Sequence, residues 1–188
     1  MAPPIHVLGF AGSLRQGSYN RAALRAAAEL LPRGTTLEIL DLAPIPLYNA
    51  DVERAGLPEP VRQFKAKIAA ADALLVATPE YNHALPGVLK NALDWASRPA
   101  GRSPLKGKPV AILGAAFGYF GTVRAQQHLR QLFVAVDAHA LNQPQVHITE
   151  APKKFDREGR LTDEPTRERI RKLVQALVAW TQQLATNH

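Results

Sequence analysis

The order of segments along this chain predicts an α/β fold: a doubly wound, five-stranded parallel sheet covered by helices on both faces. Two observations carry that expectation. Apolar runs of strand length alternate five times with amphipathic helical stretches, the pattern of successive βα units. The first, third and fourth of these runs are hydrophobic at consecutive positions rather than at every second one, as strands covered on both faces must be.

The first strand is expected over residues 5–10, followed by a turn rich in Gly, Ser and Asn and a helix over 21–31. The second strand is expected over 35–40. Residues 42–60 contain Pro44, Pro46, Pro58 and Pro60 and are expected to form a long loop, because each proline fixes φ and lacks a donor N–H. A helix over 61–71 leads into the third strand, 73–78. The next helix, 86–97, has Pro86 near its first position, where a missing N–H is harmless. The fourth strand is expected over 110–114, a helix over 122–134, and the fifth strand over 138–142 with a continuation at 146–148. A polar, basic loop follows over 151–162. The final helix, 165–184, keeps Ile170, Leu173, Val174, Leu177, Val178 and Leu184 at helical spacing, with Asp163 as its N-cap and Pro165 in its first turn. Five strands joined in this way take the flavodoxin-like order 2-1-3-4-5, which sets the first and third loops side by side at the topological switch point. No repeat or linker divides the chain, so one domain over residues 1–188 is expected.

Composition narrows the function classes. Hydrophobic residues at 46% and charged residues at 21% are ordinary for a soluble globular protein. No run approaches the roughly 18 apolar residues of a membrane span, and no secretory signal is visible, so no membrane partner is expected. The absence of cysteine removes disulfides, thiol catalysis and thiolate metal sites, and fits a cytoplasmic location. His6, His83, His128, His139 and His147 lack metal-ligand spacing, and no metal is expected. A net charge of +7 and a pI near 10.0 raise the question of a polyanionic partner. Aromatics make up only 6% of the chain and do not interleave with the charges, so nucleic-acid binding is not expected. Between Asp94 and Asp137 no acidic residue occurs, yet Arg98, Arg102, Lys106, Lys108, Arg124 and Arg130 do. These charges are either a solvated surface or a basic rim that attracts an anionic cofactor or substrate.

Three loops carry the chemistry. Gly12-Ser13-Leu14-Arg15-Gln16-Gly17-Ser18-Tyr19-Asn20 joins the first strand to the first helix, and such a turn aims backbone N–H groups at one point, where the positive end of the helix dipole also lies. The triphosphate loop is excluded because Ser18-Tyr19 stands where Lys-Ser/Thr is required. The dinucleotide fingerprint is absent too. A loop for a terminal monophosphate remains, beside the plainer reading of a polar turn with an N-cap serine. The third loop, Thr78-Pro79-Glu80-Tyr81-Asn82-His83-Ala84-Leu85-Pro86-Gly87, offers a ring, an amide and backbone groups suited to a flat heterocycle, or else a rigid turn. The fourth, Gly114-Ala115-Ala116-Phe117-Gly118-Tyr119-Phe120-Gly121, permits close backbone approach and offers aromatic surface. Its glycines equally suit a turn, and its aromatics a subunit contact.

Together the three loops resemble the NAD(P)H-dependent FMN reductase family, in its quinone-reductase and chromate-reductase branch. The motifs are Gly-Ser-Leu-Arg-x-x-Ser-x-Asn at 12–20, Thr-Pro-Glu-Tyr-Asn at 78–82 and Pro-Gly-x-Leu-Lys-Asn-Ala-Leu-Asp-Trp at 86–95. His128-Leu129-Arg130-Gln131 and Val136-Asp137-Ala138 also look familial, and the resemblance spans residues 5–180. It implies that Ser13, Arg15, Ser18 and Asn20 hold the FMN phosphate, with Gln16, Gly17 and Tyr19 completing the loop. Pro79, Glu80, Tyr81 and Asn82 would line the isoalloxazine ring, largely through backbone groups, and Ala115, Ala116 and Gly118 would face it from the fourth loop. Relatives often have serine where this chain has Ala115-Ala116, so a hydroxyl contact is expected to be missing while a backbone N–H survives.

The implied activity is a ping-pong transfer of two electrons from NADPH or NADH, through bound FMN, to a quinone, an azo or nitro compound, or a metal oxyanion such as chromate. No side chain is singled out as catalytic, since the cofactor carries the chemistry. A homodimer or homotetramer is implied, with the Leu/Ala/Trp face of the 86–97 helix as a candidate contact. The alternatives are a reductase that releases reduced FMN to a partner, a non-catalytic electron carrier of the flavodoxin type, and a nucleic-acid-associated regulator. Such carriers present an acidic docking face, whereas this chain is basic.

Overall fold

The computed structural model describes residues 4–186. Its strands are β1 (Ile5–Ala11), β2 (Thr35–Leu40), β3 (Ala73–Ala77), β4 (Pro109–Ala115), β5 (His139–Ala140) and β6 (Val146–Ile148). They form one parallel sheet in the order β2-β1-β3-β4-β5, and β6 also pairs with β4. β5 meets the start of β4, with Pro109 opposite His139, and β6 meets its end, with Leu113 opposite Val146. The expected fifth strand is therefore one edge position filled by two short strands. Pro144 lies between them and has no N–H to offer the ladder.

The helices are α1 (Tyr19–Glu29), α2 (Ala50–Ala55), α3 (Glu59–Ala70), α4 (Gly87–Ala96), α5 (Val123–Ala135) and α6 (Glu164–Thr186). Residues alternate across the sheet as the period of two requires. Val7, Leu75, Ala77, Leu113 and Ile148 pack with α1 and α6 on one face. Leu8, Phe10, Leu74, Val76 and Ile112 pack with α3, α4 and α5 on the other. The Asp163 carboxylate accepts the Thr166 N–H at 3.0 Å and so caps α6 as expected. Pro86 stands one place earlier than expected, at the N-cap of α4 rather than inside it. Helix α2 lies within the stretch expected as loop. It has no buried residue and starts where Asn49 Oδ1 accepts the Asp51 N–H at 2.8 Å, so no apolar stripe marks it. Among the described residues no helix is long and apolar enough to cross a membrane.

Candidate functional site

The first loop leaves the sheet alongside β3, where the Gly12 N–H donates to the Ala77 carbonyl at 2.8 Å. A Cβ on Gly12 would lie 2.6 Å from Pro86 Cγ, so only glycine lets this loop touch the segment that opens α4. The chain then turns, the Ser18 N–H donating to the Arg15 carbonyl at 3.1 Å. Ser18 is the N-cap of α1, its Oγ accepting the Arg21 N–H at 3.4 Å. The N–H groups of Tyr19 and Asn20, the first two in the helix, find no backbone partner among the described residues. They lie at the positive end of the dipole and form an anion-receptive point. Arg15 is exposed beside it, its guanidinium carbon 5.6 Å from the centre of the Tyr19 ring.

The third loop is a two-residue hairpin. Tyr81 and Ala84 exchange backbone hydrogen bonds at 3.2 and 3.0 Å, while Asn82 (φ 51°) and His83 (φ 63°) take the left-handed conformations such a turn requires. The Glu80 carboxylate is bonded to the start of α5. Its Oε2 accepts the N–H groups of Arg124 at 2.9 Å and Ala125 at 3.1 Å, and its Oε1 accepts from the Arg124 guanidinium at 3.3 Å. It thereby caps α5, whose own N-cap residue, Thr122, makes no capping bond. Burial pushes the Glu80 pKa up, but the Ala125 and Arg124 N–H groups and the Arg124 guanidinium outweigh it, and the carboxyl sits below its usual range.

The fourth loop is held from both sides. A Cβ on Gly114 would fall 1.9 Å from Thr122 Oγ1 and 2.5 Å from the Thr78 carbonyl oxygen, so third loop, fourth loop and the start of α5 meet there. Asn20 is buried and bonds Ala115 twice: Nδ2 donates to the Ala115 carbonyl at 3.0 Å, and Oδ1 accepts the Ala115 N–H at 2.9 Å. The Ala116 N–H donates to the Ile148 carbonyl at 2.9 Å. The N–H groups expected to survive the loss of serine hydroxyls at 115 and 116 are thus committed inside the protein. The donors left in this loop belong to the next residues, beginning with Phe117. Phe117, Tyr119 and Phe120 are 66%, 78% and 63% exposed, so their rings are not packed into the chain's own core.

These loops enclose a crevice of about 360 Å³. Of the residues expected at the site, Ser13, Arg15, Ser18, Tyr19, Asn20, Pro79, Glu80, Tyr81, Ala115, Ala116 and Gly118 line it. Gln16 and Gly17 face a neighbouring crevice instead, bounded by residues 156–159. Asn82, at the hairpin tip, lines neither. Phe117 lines the main crevice, and its ring centre is 5.5 Å from that of Tyr19. The available signal was its place in a glycine-rich turn. Arg124 as the partner of Glu80 had no local signal, because 44 residues separate them.

Two expectations need correction. Arg98, Arg102, Lys106 and Lys108 precede β4 and lie at the amino edge of the sheet, the full length of a strand, roughly 20 Å, from the crevice. They form no rim around it; of that basic stretch Arg124 alone is tied to a crevice residue, through Glu80. Second, the Leu/Ala/Trp face of α4 is not free for a subunit contact. Leu89, Ala92, Leu93, Trp95 and Ala96 are buried in the chain's own core, and Trp95 Nε1 donates to the Pro46 carbonyl at 2.9 Å.

A parallel sheet in this order, with donor-bearing loops converging at its carboxyl edge beside a helix N-terminus, defines the flavodoxin-like class of α/β proteins. The model of the NADPH-dependent FMN reductase family matches residues 5–153, and the chain belongs to that family. It is 55% identical to an NAD(P)H-dependent FMN reductase of Pseudomonas aeruginosa, covering 98% of this chain and 99% of that one. It is 43% identical to a 2-hydroxy-1,4-benzoquinone reductase of a Burkholderia species, covering 90% and 92%. Among solved structures, FerB, a flavoenzyme NAD(P)H:(acceptor) oxidoreductase of Paracoccus denitrificans, superposes with a TM-score of 0.87 at 34% identity, covering 95% and 98%.

Proposed function

We propose that the carboxyl-edge crevice binds FMN and that this single-domain enzyme passes two electrons from NADPH or NADH to quinones in a ping-pong cycle. The observation that carries the reading is the pair of unpartnered N–H groups at the start of α1, opening on the same crevice as the third and fourth loops. The residues fit the group. Ser13, Ser18 and Arg15 supply hydroxyls and a cation for a phosphate beside those N–H groups. Pro79 and Tyr81 offer a flat, partly apolar wall, and Phe117 and Gly118 face it. When bound, FMN supplies the redox chemistry, taking up a hydride and returning two electrons.

Exposed aromatic side chains at 81, 117, 119 and 120 suit flat acceptors, with azo and nitro compounds as further members of that class and chromate as a small anionic one. The same exposed rings are the surface a second or fourth copy of the chain would cover, in place of α4. The reading sets the enzyme in the cytoplasm, where NAD(P)H is supplied.

A second reading is favoured by one observation: the fourth loop has alanine and so no hydroxyl at 115 and 116, and the N–H groups of these two residues are committed elsewhere. Such a site holds FMN loosely, as a reductase that releases reduced FMN requires. The test is a titration of the purified protein with FMN followed by flavin fluorescence, then anaerobic addition of NADPH and of benzoquinone. Binding, bleaching by NADPH and return of the yellow colour with quinone are expected. No binding, or no bleaching, overturns the proposal. A rate that climbs with added free FMN and needs no quinone selects the release reading, and light scattering of the same sample gives the copy number.

A further inference from the structure

The side chain of Asn20 is committed to the fourth loop. β3 ends at Ala77, and the last backbone bond on that side of β4 runs from the Thr78 N–H to the Leu113 carbonyl, at 2.9 Å. The next rung would be made by Ala115. There the Asn20 amide stands in for a strand residue, giving a hydrogen to the Ala115 carbonyl at 3.0 Å and taking one from its N–H at 2.9 Å. A parallel neighbour would bond the Ala115 N–H and carbonyl through two different residues, whereas this one amide satisfies both. Asn20 is 4% exposed, and the two bonds engage its carbonyl oxygen and one of its two amide hydrogens. On its other flank the fourth loop is held by the bond from the Ala116 N–H to the Ile148 carbonyl. Ala116, Phe117 and Gly118 then line the crevice.

We propose that Asn20 is a positioning residue: from inside the phosphate turn it fixes the fourth loop, and through that loop the end of the site that receives the flavin ring. This rests on the flavin reading of the crevice. Loss of the amide leaves the Ala115 N–H and carbonyl buried without partners and frees the loop on that flank, so the ring should be affected even in a ligand without a phosphate. A phosphate ligand behaves oppositely, since its removal matters only when a phosphate is present.

The experiment compares wild type, Asn20→Ala and Asn20→Asp by titration with FMN and with riboflavin, which has the ring but no phosphate, together with the visible spectrum of bound FMN. Asn20→Ala is expected to weaken FMN and riboflavin by the same factor, roughly tenfold, which corresponds to about 1.4 kcal/mol, and to shift the ring absorption of bound FMN. Asn20→Asp keeps an acceptor for the Ala115 N–H and should weaken riboflavin less. It also serves as the test should the alanine variant fail to fold, with weaker riboflavin binding and a shifted spectrum as the expected result. Weakened FMN binding with riboflavin affinity and the ring spectrum unchanged makes Asn20 a phosphate ligand and overturns the proposal, as does no change with either ligand. A wild type that binds neither FMN nor riboflavin overturns the flavin reading itself, a separate outcome.

Discussion

At the amino edge of the sheet, Lys65 donates to the Ala96 and Arg98 carbonyls at the end of α4, and Lys108 donates to the Ala71 and Ala69 carbonyls at the end of α3. At the carboxyl edge, the first N–H groups of α1 have no backbone partner among the described residues, and Arg15 lies exposed beside them. The contrast follows from topology. In a doubly wound sheet the helices run back against the strands, so their negative ends gather at one edge and their positive ends at the other. Lysines at the amino edge complete helix ends, and burial holds both Lys65 and Lys108 below the usual lysine range. At the other edge the unpaired donors are left for a ligand. Part of the net charge of +7 therefore belongs to the fold and not to a docking surface.

Four substitutions test this division. The largest effect is expected at the carboxyl edge from Gly114→Ala, whose methyl would overlap Thr122 Oγ1 and the Thr78 carbonyl. A loss of about 3 kcal/mol in urea unfolding is expected, and a loss below about 1 kcal/mol would mean that the loops can separate. Arg15→Ala should weaken FMN roughly 10- to 100-fold, the worth of a hydrogen bond to a charged group, with the melting temperature unchanged. Unaltered FMN affinity would remove Arg15 from the phosphate site.

Glu80→Gln takes a charged cap from α5 and should cost about 1–2 kcal/mol at neutral pH. Because the folded-state pKa of Glu80 is depressed, its contribution is complete above the ordinary carboxylate range and is lost as pH falls through the lower, folded value. Melting curves of the two proteins should therefore converge in acid, and a gap that persists at low pH would contradict the capping role. The smallest effect is expected from Lys108→Met at the amino edge, about 0.5–1 kcal/mol of stability with no change in FMN affinity. Salt adds a check here: charges at 98–108 lie beyond the ~8 Å screening length from the crevice. Neutralising Arg98, Arg102 and Lys106 together should thus leave any preference for NADPH over NADH, and its salt dependence, as in wild type.

The strand order was legible because consecutive apolar residues in β1, β3 and β4 demand cover on two faces, and because the connections leave few topologies open. The three loops were legible for a related reason: Gly12 follows β1 directly, Pro79 lies just past β3, and Gly114 is the next-to-last residue of β4. Helix α2 was not, since it buries nothing. The division of the last strand position was seen only as a strand with a continuation. The side-chain partners of Asn20 and Glu80 were not legible because they lie 95 and 44 residues away.

By itself the sequence determined which segments become the strands and the helices that pack on the sheet, which turns sit at the carboxyl edge, and hence where a site can form. These follow from local periodicity, from glycine and proline at fixed places, and from the single handedness of βα crossovers. Only the tertiary structure decided which polar groups are left over. Whether an amide or a carboxylate meets a ligand or a distant backbone depends on contacts between segments remote in the chain, and no local pattern records them. The same holds for the basic residues of 98–130, adjacent in sequence yet divided between opposite edges of the sheet, because the intervening strand carries the chain from one edge to the other.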